Sequence, residues 1–338
     1  MAQKCVFCGG VPEKKNKEHV VPQWLSKYLG RYKSVCNLGW VTDAKIPFSG
    51  LTFPACTACN SDDANLEAQA KLVVENLMEA KPVTGMQVSI LMDWFDKLRT
   101  GIWLGELMLS KQLNAIDPNY YINDRIALKD RMLIIERFDI TGKGLGLAGI
   151  DTQMFFYSPN AFQLWMHNIL ITNASATGIV SGKLGFPHIH PISKTEQKKF
   201  IADVLPGRNK TTHPVIMNVD GFNKTVVYQP IFKEYQHMQY CDTPYVHNHS
   251  YDYDAGVGGI FIQKNNNEIK YLNPNDTVNL MPKIQPESQL QSSHKRVYEL
   301  QKHVFEKVNK PLTETLTSIQ EKKLSLCEIN AIIKSLSR

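Results

Sequence analysis

The sequence predicts an α+β protein in two parts. A small N-terminal domain stapled by metal precedes a larger, mixed, strand-rich domain with a helical connector and a helical C-terminus. Three observations predict it. Four of the seven cysteines fall in two CxxC pairs, Cys5-Val6-Phe7-Cys8 and Cys56-Thr57-Ala58-Cys59. Residues 86–114 repeat apolar side chains at helical spacing. Beyond them, short β-branched and aromatic runs alternate with turn-forming residues. At 338 residues, 43% hydrophobic and 21% charged, the chain can bury a core, which excludes a disordered, collagenous or disulfide-stapled protein.

The cysteine spacing comes first because it is the sharpest signal. A CxxC turn aims two sulfurs at one point, and two such turns complete a tetrahedral thiolate cage for Zn2+. Here 47 residues separate the pairs, so the insert must fold back to join them. Cys36, Cys241 and Cys327 fall outside the pattern and read as core thiols.

Inside the insert, Lys17-Glu18-His19-Val20-Val21-Pro22 reads as a short strand ending in a turn. Adjacent strand side chains face opposite ways, so Glu18 and His19 cannot enter the same core. Asn60, directly after the second pair, falls at or just before a helix N-terminus, where it can cap or reach a ligand. Leu66, Ala70, Val73, Val74 and Leu77 form the apolar face of that helix.

Together these residues resemble the HNH endonuclease family. Cys5-x-x-Cys8, Glu18-His19-Val20-Val21-Pro22, Cys56-x-x-Cys59-Asn60 and the later Leu66-Glu67-x-x-Ala70-Lys71 carry the resemblance, which spans about residues 1–80. It implies a zinc-stapled ββα-metal finger that hydrolyses phosphodiester bonds. In it His19 is the general base, and Glu18 and Asn60 hold one catalytic divalent cation. Oxygen ligands of this kind suit Mg2+ or Mn2+ better than zinc. Many members carry a middle Asn shortly before the second CxxC that orients the His. Residues 48–55 have none, so either Asn37 or a backbone carbonyl takes that role. Glu67 reads as a solvated helix charge, with a place behind the metal or a contact to it through water as the alternatives, and Asp63, one turn from Asn60, is a lesser candidate to touch the site.

The family pattern sets the first boundary, giving residues 1–81 as the nuclease domain. Residues 82–115 form a buried helical connector or dimer-forming segment of one or two helices, with Gly101 and Gly105 either open to close approach by another element or interrupting the helix. Residues 116–284 form the mixed domain, with strands expected at 131–138, 153–157, 163–171, 178–186, 214–219, 225–232 and 259–264. A hairpin turn is expected at Asn265–Asn267, and a helix at 194–204. Residues 285–338 carry two helical patterns split by Pro311. His188/His190 and His247/His249 read as strand-end histidines rather than a second metal site, and residues 252–259 as a loop.

The net charge of +6 gathers at the ends: residues 1–35 hold seven Lys/Arg against two Glu, and residues 281–338 ten against six. Lys14, Lys15, Lys17, Lys27, Arg31 and Lys33 surround the motif and are able to grip phosphates. Trp24 and Trp40 read as packing. The expected partner is nucleic acid, double-stranded DNA first, with a homo-oligomer through the connector or C-terminal helices and an activating ligand or protein also considered. No run reaches the roughly 18 apolar residues of a membrane span, and Met1–Cys5 lacks a signal-peptide core, so a cytoplasmic location and no membrane partner are expected. Phage defence or restriction is the role considered. Two other functions fit the same residues: a non-catalytic zinc-finger nucleic-acid-binding protein, and an RNA-cleaving toxin.

Overall fold

The computed structural model describes residues 4–12, 16–31, 34–39, 44–111, 121–176, 184–186, 188–194, 200–205, 207–208, 210–213, 215–219, 222–231, 244–246, 258–263 and 266–308. The fold is α+β.

Near the N-terminus, β1 (Asn16–His19) is followed by α1 (Gln23–Tyr28), then by β2 (Val35–Leu38) and β3 (Ala44–Pro47), which pair with each other. β4 (Thr52–Ala55) pairs antiparallel with β1, setting Glu18 opposite Phe53 and His19 opposite Thr52. α2 (Thr57–Met78) follows at once, with Ala70, Val73, Val74 and Leu77 buried as the periodicity requires. It starts earlier than the sequence suggested. Cys56 is its N-cap in extended conformation, so Asn60 lies inside the first turn rather than capping it.

β5 (Val83–Thr84) leads into α3 (Gly85–Leu109), one unbroken helix opened by a capping box between Thr84 and Gln87. The connector is buried along most of its length by its own chain. Gly101 and Gly105 do not interrupt it. A Cβ at Gly101 would lie 3.1 Å from Val20 Cγ1, and one at Gly105 would lie 3.0 Å from Leu51 Cδ1. The two glycines are where the N-terminal region seats against the helix.

After α4 (Ile122–Arg125) come β6 (Asp130–Arg137), β7 (Leu145–Ala148), α5 (Gln153–Tyr157), β8 (Ala161–Met166) and β9 (Ile169–Ala176). Then follow β10 (His188–Lys194), β11 (Phe200–Leu205), β12 (Thr225–Gln229), β13 (Pro244–Val246), β14 (Ile260–Gln263), β15 (Ile269–Leu272) and β16 (Thr277–Val278). A single 3₁₀ turn at Glu287–Gln289 opens into α6 (Leu290–Val308). Seven strands form one sheet in the order β15-β14-β12-β6-β9-β8-β7.

The two faces of that sheet build two cores. Leu133 and Ile135 of β6 pack into a cluster running from Cys5 to Leu280, whereas Met132 and Ile134 pack into a second cluster with Val297, Leu300 and Val304 of α6. Covered on both sides, the middle of β6, Met132–Ile135, is an unbroken apolar run between charged ends. Polar clamps fix α6: Glu136 accepts from Ser293 Oγ at 2.8 Å and pairs with Arg296, and Gln301 Nε2 donates to the Gly149 and Ala161 carbonyls at 2.6 and 2.8 Å.

Four expectations are corrected, each by an identifiable cause. Residues 153–157 form a helical turn because Thr152 Oγ1 caps it, accepting from Phe155 N at 3.1 Å. The single strand expected at 163–171 is a hairpin, broken at His167, whose φ of 54° turns the chain. Lys194 and residues 200–204, expected as helix, pair as antiparallel strands, because cross-strand partners outweigh local propensity. Residues 215–219 form no strand, because side chains take their backbone bonds: Lys224 Nζ donates to the Met217 carbonyl, and Asn267 Oδ1 accepts from Asn218 N.

The hairpin at Asn267, with φ 66°, forms as expected between β14 and β15. His188 and His190 lie on β10. Residues 177–183, Pro214, Trp40, Cys241, His247, His249, residues 252–257 and the second C-terminal helical pattern fall outside the described residues. Among the described residues no helix is long and apolar enough to cross a membrane.

The glycine contacts give a test. Gly105→Leu should lower the unfolding free energy by about 1–3 kcal/mol, the scale of overpacking a filled core, although leucine is the better helix former. Urea unfolding measures it, and an unchanged midpoint would contradict the contact.

Candidate metal centre and carboxylate cluster

The two CxxC pairs meet. Cys5 and Cys8 sit on a tight turn in which Cys5 N donates to the Gly10 carbonyl at 2.7 Å and Gly9 N to the Cys5 carbonyl at 2.9 Å. Gly9 has φ 73°, and a Cβ there would collide with Tyr121 2.5 Å away, so the turn requires glycine. Val6 N donates to the Pro54 carbonyl at 2.9 Å, which ties this turn to β4. Cys56 and Cys59 supply the other half from the start of α2.

All four sulfurs lie within 4.8 Å of one another. A zinc tetrahedron with bonds of about 2.3 Å requires sulfurs about 3.8 Å apart, and Cys8 Sγ lies 3.9 Å from Cys56 Sγ. The four cysteines therefore have the chemistry and spacing to hold a metal such as zinc. The side chain and backbone N–H of Cys59 hold the Cys56 thiol down to about 7, and burial pushes the Cys59 thiol up. Cys36 is a half-buried thiol, raised to about 11 by burial.

A second cluster lies beside the first. Glu18 of β1 meets Asp63 and Glu67 of α2, with their carboxylate oxygens within 4.8 Å of one another. Asp63 and Glu67 are four residues apart, so they share a helix face. Into their midst reaches Lys97 of α3. Its side chain is 1% exposed, and its Nζ donates to Glu18 Oε1 at 2.9 Å and to both Asp63 and Glu67. Burial raises Asp63 to about 7 against the pull of Lys97, and raises Glu67 as well. Lys97 loses to burial but gains more from Glu67, Asp63 and Glu18, so its pKa rises and it stays charged. Glu67 is thus no solvated helix charge, and Asp63 is part of the same group.

His19 turns the other way from Glu18, as the strand requires. Its Nε2 contacts Gln23 Nε2, while Gln23 Oε1 accepts from Lys27 Nζ at 3.0 Å. Lys27 fixes the amide orientation, so Gln23 donates its N–H to His19 Nε2 and the ring proton belongs on Nδ1. Burial, then Lys97 and Lys27, lower the His19 pKa below its ordinary 6.5, so the ring is neutral at pH 7.

Asn60 sits one turn before Asp63, and its Oδ1 is buried with no hydrogen-bond partner among the described residues. An oxygen left in that state is suited to a ligand role. Asn37 is placed elsewhere. It is exposed on β2 and lines a depression of about 340 Å³ with Cys36, Leu145, Asp151 and Tyr298. The side chain that meets His19 is Gln23. Trp24 packs on Trp94, with ring centroids 6.0 Å apart, as a core group. Of the basic residues near the motif, Lys17, Lys27 and Arg31 are exposed, and Lys14, Lys15 and Lys33 fall outside the described residues.

Sequence reasoning missed Gln23 and Lys97. Gln23 carries no distinctive signal. Lys97 does: it lies between Asp96 and Leu98 in a helix that is otherwise largely apolar, where a charge needs a buried partner.

The purified chain should carry about one zinc, with Cys56→Ser losing it and melting well below wild type, because a metal that binds only the folded state contributes to folding. Elemental analysis and thermal melts check both, and unchanged metal content in Cys56→Ser would remove the four-cysteine site. No family model matches this chain, and no curated protein or solved structure matches it either.

Proposed function

We propose that the chain is a metal-dependent HNH endonuclease that hydrolyses phosphodiester bonds, double-stranded DNA being the first substrate to try. One observation carries the reading: a neutral, half-exposed histidine adjoins a carboxylate that turns into a part-buried acidic cluster, on a strand paired beside four clustered cysteines. Phosphodiester hydrolysis needs a base for water and positive charge against the phosphoryl oxygens. His19 is the base, and its Nε2 lone pair, now engaged by Gln23, is the one that takes the proton from water.

Glu18 and Asn60 offer oxygens for Mg2+ or Mn2+, and the buried, unpartnered Asn60 Oδ1 fits that role. The bound cation would neutralise charge on the scissile phosphate. The four cysteines would hold a zinc that ties the Cys5–Cys8 turn, bonded to β4, to the start of α2 and takes no part in the chemistry. Exposed Lys17, Lys27 and Arg31 are placed to meet the phosphate backbone.

The test is nicking of supercoiled plasmid with Mg2+ or Mn2+. His19→Ala should cut roughly 10²-fold more slowly or worse, the scale of losing a general base, with its zinc content and melting temperature unchanged. Equal rates would remove His19 from the mechanism, and cleavage of RNA in preference to plasmid would move the substrate to RNA. A second comparison separates Gln23 from Asn37. Gln23→Ala should change the cleavage rate several-fold because it frees the histidine nitrogen, while Asn37→Ala should stay within about twofold. The reverse ranking would restore Asn37 as the residue that orients the base.

A further inference from the structure

Lys97 is a cation already sitting on the oxygens that Glu18, Asp63 and Glu67 bring together. Its side chain is 1% exposed, and all three carboxylates accept from its Nζ. With the acids ionised, three negative charges face one positive charge, which leaves an excess of two in a buried place. Burying that excess is costly unless more positive charge arrives. Asn60, one turn earlier on α2, has a buried side-chain oxygen with no partner among the described residues. The cluster is thus an oxygen-only set with net negative charge, the donor chemistry of Mg2+ and Mn2+.

We propose that Asp63 and Glu67 belong with Glu18 to the divalent-cation site, and that the Lys97 ammonium is a tethered cation competing for the same oxygens. The proposal rests on the cation-site reading above and assigns two ligands and a competitor that the family pattern does not supply. Lys97 arrives from α3, outside the region of the resemblance. Occupancy of the site is thereby linked to where α3 sits. Cation entry requires the ammonium to give up at least one carboxylate, so a shift of α3 that draws Lys97 back strengthens cation binding, and a shift that drives it in weakens binding. The flexible four-carbon stem of lysine lets the ammonium move while its backbone stays in the helix.

The experiment is Mn2+ binding by electron paramagnetic resonance and calorimetry on zinc-loaded protein, comparing wild type with Lys97→Met. Methionine fills the stem's volume and removes the charge. The variant should bind Mn2+ at least tenfold more tightly, and Mn2+ should raise its melting temperature more than it raises that of wild type. Equal or weaker binding by folded Lys97→Met, with wild type binding normally, overturns the competition and leaves the cation reading standing. No Mn2+ binding by either protein overturns both. If Lys97→Met fails to fold, Lys97→Met/Asp63→Asn restores the wild-type charge balance and is compared with Asp63→Asn alone. Tighter binding by the double variant supports the proposal, and equal or weaker binding overturns it.

Discussion

A charge on a helix buried on nearly every side needs an opposite charge beside it, and in this chain that requirement joins the two halves. α3 carries Asp96, Lys97, Arg99 and Glu106 within its buried stretch. Asp96 pairs with Arg99 at 2.7 Å and with Arg131 of the sheet at 3.3 Å, while Lys97 points the other way into the N-terminal carboxylates. Neighbouring residues on one helix are therefore held by opposite ends of the molecule. Removing either partner would strand a buried charge, which is among the costliest single changes a fold can suffer.

That arrangement explains the shape of the carboxylate cluster. β1 contributes Glu18 from a strand edge, and α2 contributes Asp63 and Glu67 from one helix face. Without a cation between them, three acids at this distance would repel, and burial would drive them toward protonation. The raised Asp63 and Glu67 show that tension even with Lys97 present. The four cysteines bring the start of α2 beside the turn at Cys5 and could hold a metal on the same principle, with sulfur in place of oxygen. One helix thus belongs to two clusters, with cysteines at its first turn and acids one and two turns later.

Much of this was legible in the sequence, and the reason is locality. CxxC pairs, the apolar face of α2, the long connector helix and the Asn267 hairpin are written in short windows where spacing fixes geometry. At Gly101 and Gly105 the sequence left two readings, a close approach or a break in the helix, and only the packing of Val20 and Leu51 decides for the first. What the sequence hid depends on distant partners. Residues 200–204 of β11 read as part of a helix in the sequence, and only pairing with β10 makes them a strand. Gln23 reaches His19 across a turn that no motif marks, whereas Asn37, chosen because it was the available asparagine, is carried by its hairpin to another face. Glu67 looked like a surface charge because the lysine that buries it lies 30 residues further on.

The glycine contacts on α3 have a consequence for how this N-terminal region travels in evolution and in the laboratory. Val20 and Leu51 rest against a helix that has no side chains at those two points, and Leu38 lies beside them. The apolar face of α2 enters the same cluster. A fragment ending near residue 81 would keep its cysteines yet present that whole seam to water, together with three acids deprived of their counter-charge. Such a piece is not a portable module. Grafted onto an unrelated protein it would associate with itself or with whatever apolar surface it met, and it becomes transferable only when α3 goes with it.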